Sequence, residues 1–454
     1  MTACSIEPAA AGHDDPAPRP GCVLTADGAY AARLAVPRGD GGGGDSWFPE
    51  RWTLDGPEPY AVPLPGNQPE EPGTEVQPMG DGRVLICRPA DGRHFFSLLY
   101  PTGPGTGELP LGAVQCPPGA RLRLLPPAPG GAHAYALAAG PESSTVWLVA
   151  GGAFGPEHVA HVPGRCAGGV WLDRAGRMLA LDRTEPESGR TKAVVVDLGR
   201  GGEVSPLLQI AADSDDRLLL ADPDSGLLLV RSDAPSPGAG RLGWGVLGST
   251  LPVRFPECLR VAGCVVTPFA IQPGQVLTPE SCGVALRIEG AGRAGGRGGG
   301  EGGSGGGPRG SGGGSGGSGG GPGGGGGGPG GSGGGSGDGA WVGVWRPADR
   351  RLRHLPAPEG WLTGAGLWTP EGVLRLPCAT EALPCGVRGW AAEWEEPCGA
   401  SGSAAEGEGV GERVGEGAEE GGKAPAVLRP VPLQQAPLAR TGTQPPNGRK
   451  NSTV

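Results

Sequence analysis

The sequence has no run of eighteen apolar residues, so no segment has the length and character of a membrane-crossing helix. Its amino terminus, MTACSIEPAAAGHDDPAPRPG, lacks the basic region and apolar core of an export signal. Positive charge is also scarce: 37 Lys and Arg stand against 47 Asp and Glu, for a formal net charge of -10. A phosphate-binding surface needs clustered cations to displace counterions, so neither nucleic acid nor a membrane is an expected partner. Heptads and long charged helices are missing, which leaves β structure. Paired cysteines are missing too. The eleven are odd in number and scattered singly, at Cys4, Cys22, Cys87, Cys116, Cys166, Cys258, Cys264, Cys282, Cys378, Cys385 and Cys398. They include no C-x-x-C knuckle and read as reduced, small hydrophobic residues. These absences together predict a cytoplasmic chain, monomeric, without a metal or cofactor.

Glycine and proline, by contrast, make up almost a third of the 454 residues, and much of both falls in tracts. Residues 1–20 are polar and rich in Pro and Ala, 290–339 are almost pure Gly and Ser, and 399–424 alternate Gly with Glu. Such compositions bury too little apolar surface to offset the entropy of ordering, so they are expected to be disordered, as is the tail 437–454. One β domain is expected over 21–398, interrupted by 290–339. A short apolar run at 425–436, containing Ala426-Val427-Leu428-Arg429-Pro430-Val431-Pro432-Leu433, is expected to return as a closing strand.

Within that domain the clearest unit is Gly169 to Leu198, where apolar runs of four or five residues are punctuated by Gly, Pro and Asp turns. Such runs are too short for helices and read as antiparallel strands. A turn dipeptide before an apolar run recurs at Asp27-Gly28, Asp81-Gly82, Gly130-Gly131, Ala175-Gly176, Asp215-Asp216, Pro273-Gly274 and Glu371-Gly372. Most intervals are 40 to 58 residues, and the last, of 98, falls near 48 without the glycine tract. That period is one four-stranded meander per repeat. Third strands are expected at Trp47 to Leu54, His94 to Tyr100, Thr145 to Val149, Ala193 to Val196, Leu227 to Val230, Trp341 to Trp345 and Val387 to Trp394. Fourth strands end near prolines, as in Tyr60 to Pro65, Glu108 to Leu111, His158 to Pro163 and Leu352 to Pro356. Proline removes a ladder donor and so belongs on an outer edge.

The stretch GVWLDRAGRMLALD, residues 169–182, resembles the G-x-x-x-D-x-x-G-x-x-x-x-x-D core of NHL-type propeller repeats. The seven repeats over residues 22 to 395 resemble seven-bladed propellers generally. No repeat ends in Trp-Asp as WD40 blades do. The resemblance implies an all-β, seven-bladed propeller of four-stranded antiparallel blades with long insertions; it transfers no catalytic residue.

Sequence patterns that could carry chemistry fail on context. Gly417 to Lys423 fits G-x-x-x-x-G-K, but Ala424 replaces the Mg²⁺-binding hydroxyl and no strand precedes it. The Gly-Ser strings of 312–334 fit G-x-S-x-G without a strand or helix beside them. His158 and His161, next to Glu157, are the one close histidine pair; on a regular strand a spacing of three puts them on opposite faces. Asp213, Asp215 and Asp216 fail as a calcium loop because Arg217 follows. Asp222-Pro223-Asp224-Ser225-Gly226 reads as a hairpin turn. The eleven tryptophans are expected mainly between blades. No catalytic, cofactor or metal residue is assigned, and the expected function is a non-catalytic platform for a protein or peptide partner. The alternative, a propeller lyase or lactonase with a divalent metal, requires inward His, Asp or Glu at equivalent positions, where Asp173 is the one candidate.

Overall fold

The computed structural model describes residues 21–36, 46–71, 73–236, 240–290 and 340–392. They form seven antiparallel sheets, each a meander of consecutive strands. The blades span residues 23–63, 75–115, 121–163, 165–208, 216–246, 264–356 and 367–391. First strands of neighbouring blades touch one another and line the axis. The chain is a seven-bladed β-propeller.

The strands are short and nearly continuously apolar because both faces of each sheet are buried. Blade 4 shows how. On its second strand, Met178–Thr184, Leu179 and Leu181 face blade 3 while Ala180 faces blade 5. On its third, Thr191–Asp197, Val194 and Val196 face blade 3 while Ala193 and Val195 face blade 5. Alternation is present, but both registers are apolar. One such cluster fills each of the seven blade boundaries. The tryptophans follow suit: Trp52, Trp171, Trp244, Trp345, Trp361 and Trp368 are buried, whereas Trp341 is exposed.

Five blades have four strands, and in all five the outermost carries a proline: Pro63, Pro110, Pro163, Pro206 and Pro356. The flanks of the glycine tract, Val284–Gly290 and Trp341–Trp345, pair directly as second and third strands of blade 6. Among the described residues, blades 5 and 7 have three strands each. Blade 5 keeps a vestige of a fourth, since Trp244 and Arg254 exchange both backbone hydrogen bonds at 2.9 Å. In blade 7 the third strand, Gly386–Ala391, is outermost among the described residues. The expected closing strand at 426–433, and the tracts expected to be disordered, lie outside the described residues.

Two turn markers are not followed by the expected second strand. Asp215-Asp216 precedes the first strand of blade 5, Asp216–Ala221, so Leu227–Ser232 is the second strand and Arg241–Val246 the third. The true first turn there is Asp222 to Gly226, closed by Gly226 N–H donating to Asp222 O at 2.9 Å. Pro273-Gly274 leads into an exposed loop and a short 3-10 helix, Pro279–Ser281, rather than a strand. In both cases a run of apolar residues after a turn gave the same local pattern as a true second strand. Only pairing distinguishes them.

Blades 7 and 1 share no strand among the described residues. Their boundary is closed by the cluster of Cys22, Ala31, Trp52, Leu54, Ala365 and Cys385, and by Arg375 donating to Leu54 O at 3.0 Å.

Candidate functional site

A meander places its connections on two opposite ends of the ring. The first-to-second and third-to-fourth connections share one end, here called face A; the second-to-third connections and the links between blades share the other, face B. Six of the seven turn markers lie in first-to-second connections on face A, the exception being Asp215-Asp216, whose place is taken by Asp222 to Gly226.

Polar side chains tie each blade to the next. Going round the ring, Arg51 donates to Gly82 O, Glu75 accepts from Leu124 N, Arg123 donates to Gly168 O, and Asp182 accepts from Leu218 N. Arg231 then donates to Val266 O, Gln272 to Pro370 O and Arg375 to Leu54 O. Leu124, Gly168, Leu218 and Val266 lie on inner strands, which have one unpaired edge, and there these bonds satisfy backbone groups that burial would otherwise leave orphaned.

The boundary between blades 4 and 5 holds the most buried charge. Lys192 and Asp216, 4 % and 0 % exposed, pair at 2.8 Å. Asp216 also accepts from Ser232 Oγ at 2.6 Å, Ile210 N at 2.9 Å and Ser214 Oγ at 2.9 Å. Burial works against its ionisation, but Lys192 and these donors prevail and hold the carboxyl below its usual range. Every partner is internal, so the network joins blades and has no spare valence for a ligand.

Asp182, nearby on the inner part of blade 4, differs. Its Oδ1 accepts from Leu218 N at 2.9 Å, and Oδ2 rests on Gly168, where a Cβ would come within 3.1 Å of it. Gly168 has a φ of +74° and sits in a bulge of the first strand, so glycine is required there both for conformation and for space. Burial pushes this carboxyl up to about 7, against the opposing pull of Leu218 N, Arg217 and Arg123. The folded pKa lies above the ordinary value of about 3.9, so its stabilising contribution is full in acid and is lost as pH rises to about 7. Asp182→Asn keeps the acceptor for Leu218 N without the charge. We expect the variant to melt higher than the native protein at pH 8 and the difference to vanish near pH 4; an equal difference at both would mean Asp182 does not titrate in this range.

Asp173, the sequence-based candidate for an inward carboxylate, instead closes an exposed turn, accepting from Arg177 N at 2.9 Å and Met178 N at 3.0 Å. Such Asx capping is the usual use of Asp in a turn. His158 and His161 do share a face, contrary to expectation. They pair with Trp147 and Thr145, and a bulge between Val146 and Trp147 absorbs the odd residue. His158 stacks edge-on against Trp147. Among the described residues, no three His, Cys, Asp or Glu side chains stand together as metal ligands. None of the nine described cysteines forms a disulfide, and no helix among these residues is long and apolar enough to cross a membrane.

Face A carries the feature that sequence reading missed. The four most exposed large apolar side chains, Phe154 (96 %), Leu277 (92 %), Leu251 (65 %) and Val276 (62 %), all lie in its connections. Val276 and Leu277 follow the false turn marker of blade 6, which is why they read as a buried strand. The loops that present them are fixed. Arg174 in the first turn of blade 4 forms a two-pronged ion pair with Asp224 in that of blade 5, and Asp224 also accepts from Gly274 N of blade 6 at 3.0 Å. The Arg174 guanidinium holds the Asp224 carboxyl below its usual range. In blades 2 and 3, Gly80 N–H donates to Gly131 O at 2.9 Å; a Cβ on Gly80 would lie 3.1 Å from Gly131 Cα, so these two turns approach as closely as backbones allow.

No protein-family model matches the sequence, and no curated protein matches it. Among solved structures, the chain is similar to the β-propeller domain of the Trilobed protease from Pyrococcus furiosus, at 8 % identity over 81 % of this chain and 93 % of that one, with a TM-score of 0.41. It is also similar to an oligogalacturonate lyase in complex with manganese, at 13 % identity over 52 % and 65 % of the two chains and a TM-score of 0.34. TolB from Acinetobacter baumannii matches at 11 % identity over 60 % of each chain, with a TM-score of 0.33. The chain thus spans less than two thirds of the length of the latter two. At these values no residue or activity transfers, and the seven-bladed assignment stands on the sheet topology.

Proposed function

We propose that the protein is a non-catalytic binding platform that docks a protein or peptide partner on face A. The observation that carries this reading is the placement of Phe154, Leu277, Leu251 and Val276, all exposed on connections of one face. Single exposed apolar residues are ordinary, but several large ones on one side of a rigid ring are the anchors an interface uses. Cross-links between first turns, through Asp224 and through Gly80 and Gly131, support it by lowering the entropy lost on docking. The reading includes a monomer in the cytoplasm, a setting that suits unpaired thiols.

A photo-crosslinking side chain at position 154 or 277 should label the same protein in extracts of expressing cells, and one at Leu383 on face B should not. Changing the other anchor, Leu277→Ser with the probe at 154 and Phe154→Ser with the probe at 277, should weaken that labelling about tenfold or more. Equal labelling from all three positions would remove face A as the docking surface.

A further inference from the structure

Blade 2 ends in a thiol and an imidazole held against each other. Cys116 Sγ lies 3.7 Å from His94 Nδ1, within hydrogen-bond reach of sulfur. His94 opens the third strand of the blade and pairs with Val114 on the fourth. Cys116 stands two residues beyond Val114 and keeps its side of the sheet, toward blade 3. Both side chains are half-buried, and the adjoining Pro117, Pro118 and Gly119 are exposed. At the same boundary Glu75, on the first strand of blade 2, accepts from Leu124 N at 2.7 Å, and its charge favours the imidazolium form of His94. Among the described residues no other charge acts on His94, and none acts on Cys116. Arg121 and Arg123 alternate with the inward Leu122 and Leu124 and leave the other side of blade 3. Burial pushes the thiol up and the imidazole down, so at neutral pH the pair rests uncharged, with the thiol donating to Nδ1.

We propose that Cys116 is a covalent-modification site with His94 as its general base, and that it reacts with small uncharged α,β-unsaturated carbonyl compounds. A nucleophile within reach of a base, beside a third group that favours the protonated base, is the arrangement that activates a thiol. Sγ bonds to the β-carbon of the electrophile while its proton passes to Nδ1. The carbon–carbon π pair moves onto the carbonyl as an enolate, and the α-carbon then takes the proton from His94. Nothing leaves and no oxidant is consumed; the product is a thioether and His94 ends neutral. Cys116 packs beside Leu111, Leu124 and Trp147 on an apolar cluster, which suits an uncharged electrophile. The chain's net charge of -10 disfavours anionic ones such as glutathione disulfide. Cys116 lies in the link to blade 3 and His94 beside the second-to-third turn, both on face B, so the site does not depend on the docking reading.

The test is alkylation of the full chain by N-ethylmaleimide, followed residue by residue by mass spectrometry. Cys258 is the internal reference, since it too is half-buried and raised by burial, but no histidine acts on it. A thiol that reacts only as thiolate gains about tenfold in rate per pH unit below its pKa, and Cys258 should do so between about pH 7 and about pH 8. Cys116 should react faster than Cys258 at about pH 7 and change less than about threefold over that range, because its base is already neutral there. His94→Asn keeps a hydrogen-bonding group near the Nδ1 position without the base. It should slow Cys116 about tenfold or more at about pH 7 and give it the steep profile of Cys258, with the Cys258 rate and the melting temperature unchanged. The native pH profile decides the question even where that variant folds poorly. Cys116 reacting no faster than Cys258, rising as steeply with pH, or reacting at the native rate in a folded His94→Asn variant would overturn the proposal.

Discussion

Lys192→Ala should destabilise the protein by about 3–5 kcal/mol at neutral pH, the cost of stranding a buried charge. It leaves Asp216, fully buried, without its cation, and frees Ser214 Oγ and Ala211 O, which Lys192 also contacts. The pH dependence distinguishes this from simple loss of packing. In the native protein the Asp216 carboxyl is held below its usual range. Its contribution is therefore complete above about pH 4 and is lost as pH falls through the folded value. Without Lys192 burial dominates, the carboxyl moves up, and the variant should be least impaired in acid. Urea midpoints at neutral and acid pH read the difference. Replacing both partners, Lys192→Met with Asp216→Leu, should cost less than Lys192→Ala alone; a double variant at least as damaged would mean the pair itself, and not the stranded carboxylate, supplies the stability.

Trp171→Ala should cost about 3–5 kcal/mol through the cavity it opens. The indole is 6 % exposed between blades 3 and 4, tilts against Tyr135 at 5.3 Å, and donates from Nε1 to Pro126 O at 3.0 Å. Pro126 belongs to the connection between the first two strands of blade 3, so one side chain fills the boundary and fastens a face A loop across it. Trp171→Phe keeps most of the volume and should cost about 1 kcal/mol for the lost hydrogen bond, with some further loss of packing. An unchanged urea midpoint for Trp171→Ala would place the ring outside the interface.

The architecture was legible where local chemistry and pairing agree. Asp27-Gly28, Asp81-Gly82 and Glu371-Gly372 preceded second strands as expected, with Gly28, Gly82 and Gly372 at φ of +72°, +81° and +86°. Reading failed where a turn and an apolar run occurred without the partner strand that defines a second strand, as at Asp215-Asp216 and Pro273-Gly274. The histidine pair failed for a related reason: the bulge that brings His158 and His161 to one face depends on the strand beside them, not on their spacing.

The sequence by itself determined the strand-rich meander, its repeat length, the outer prolines and the burial of most tryptophans. Those follow from properties each segment carries alone: which residues tolerate positive φ, which remove a ladder donor, and which are too apolar to leave in water. Tertiary structure decided which charges meet. Lys192 and Asp216, Asp182 and Leu218, Arg174 and Asp224 lie 24, 36 and 50 residues apart. Such pairings arise from the closure of the ring, because the environment that makes a carboxylate a strut, a titrating group or a loop clamp is supplied by the neighbouring blade. The same holds for face A: Leu277 is as apolar as Leu229, and only the absence of a blade packed over it makes it a surface.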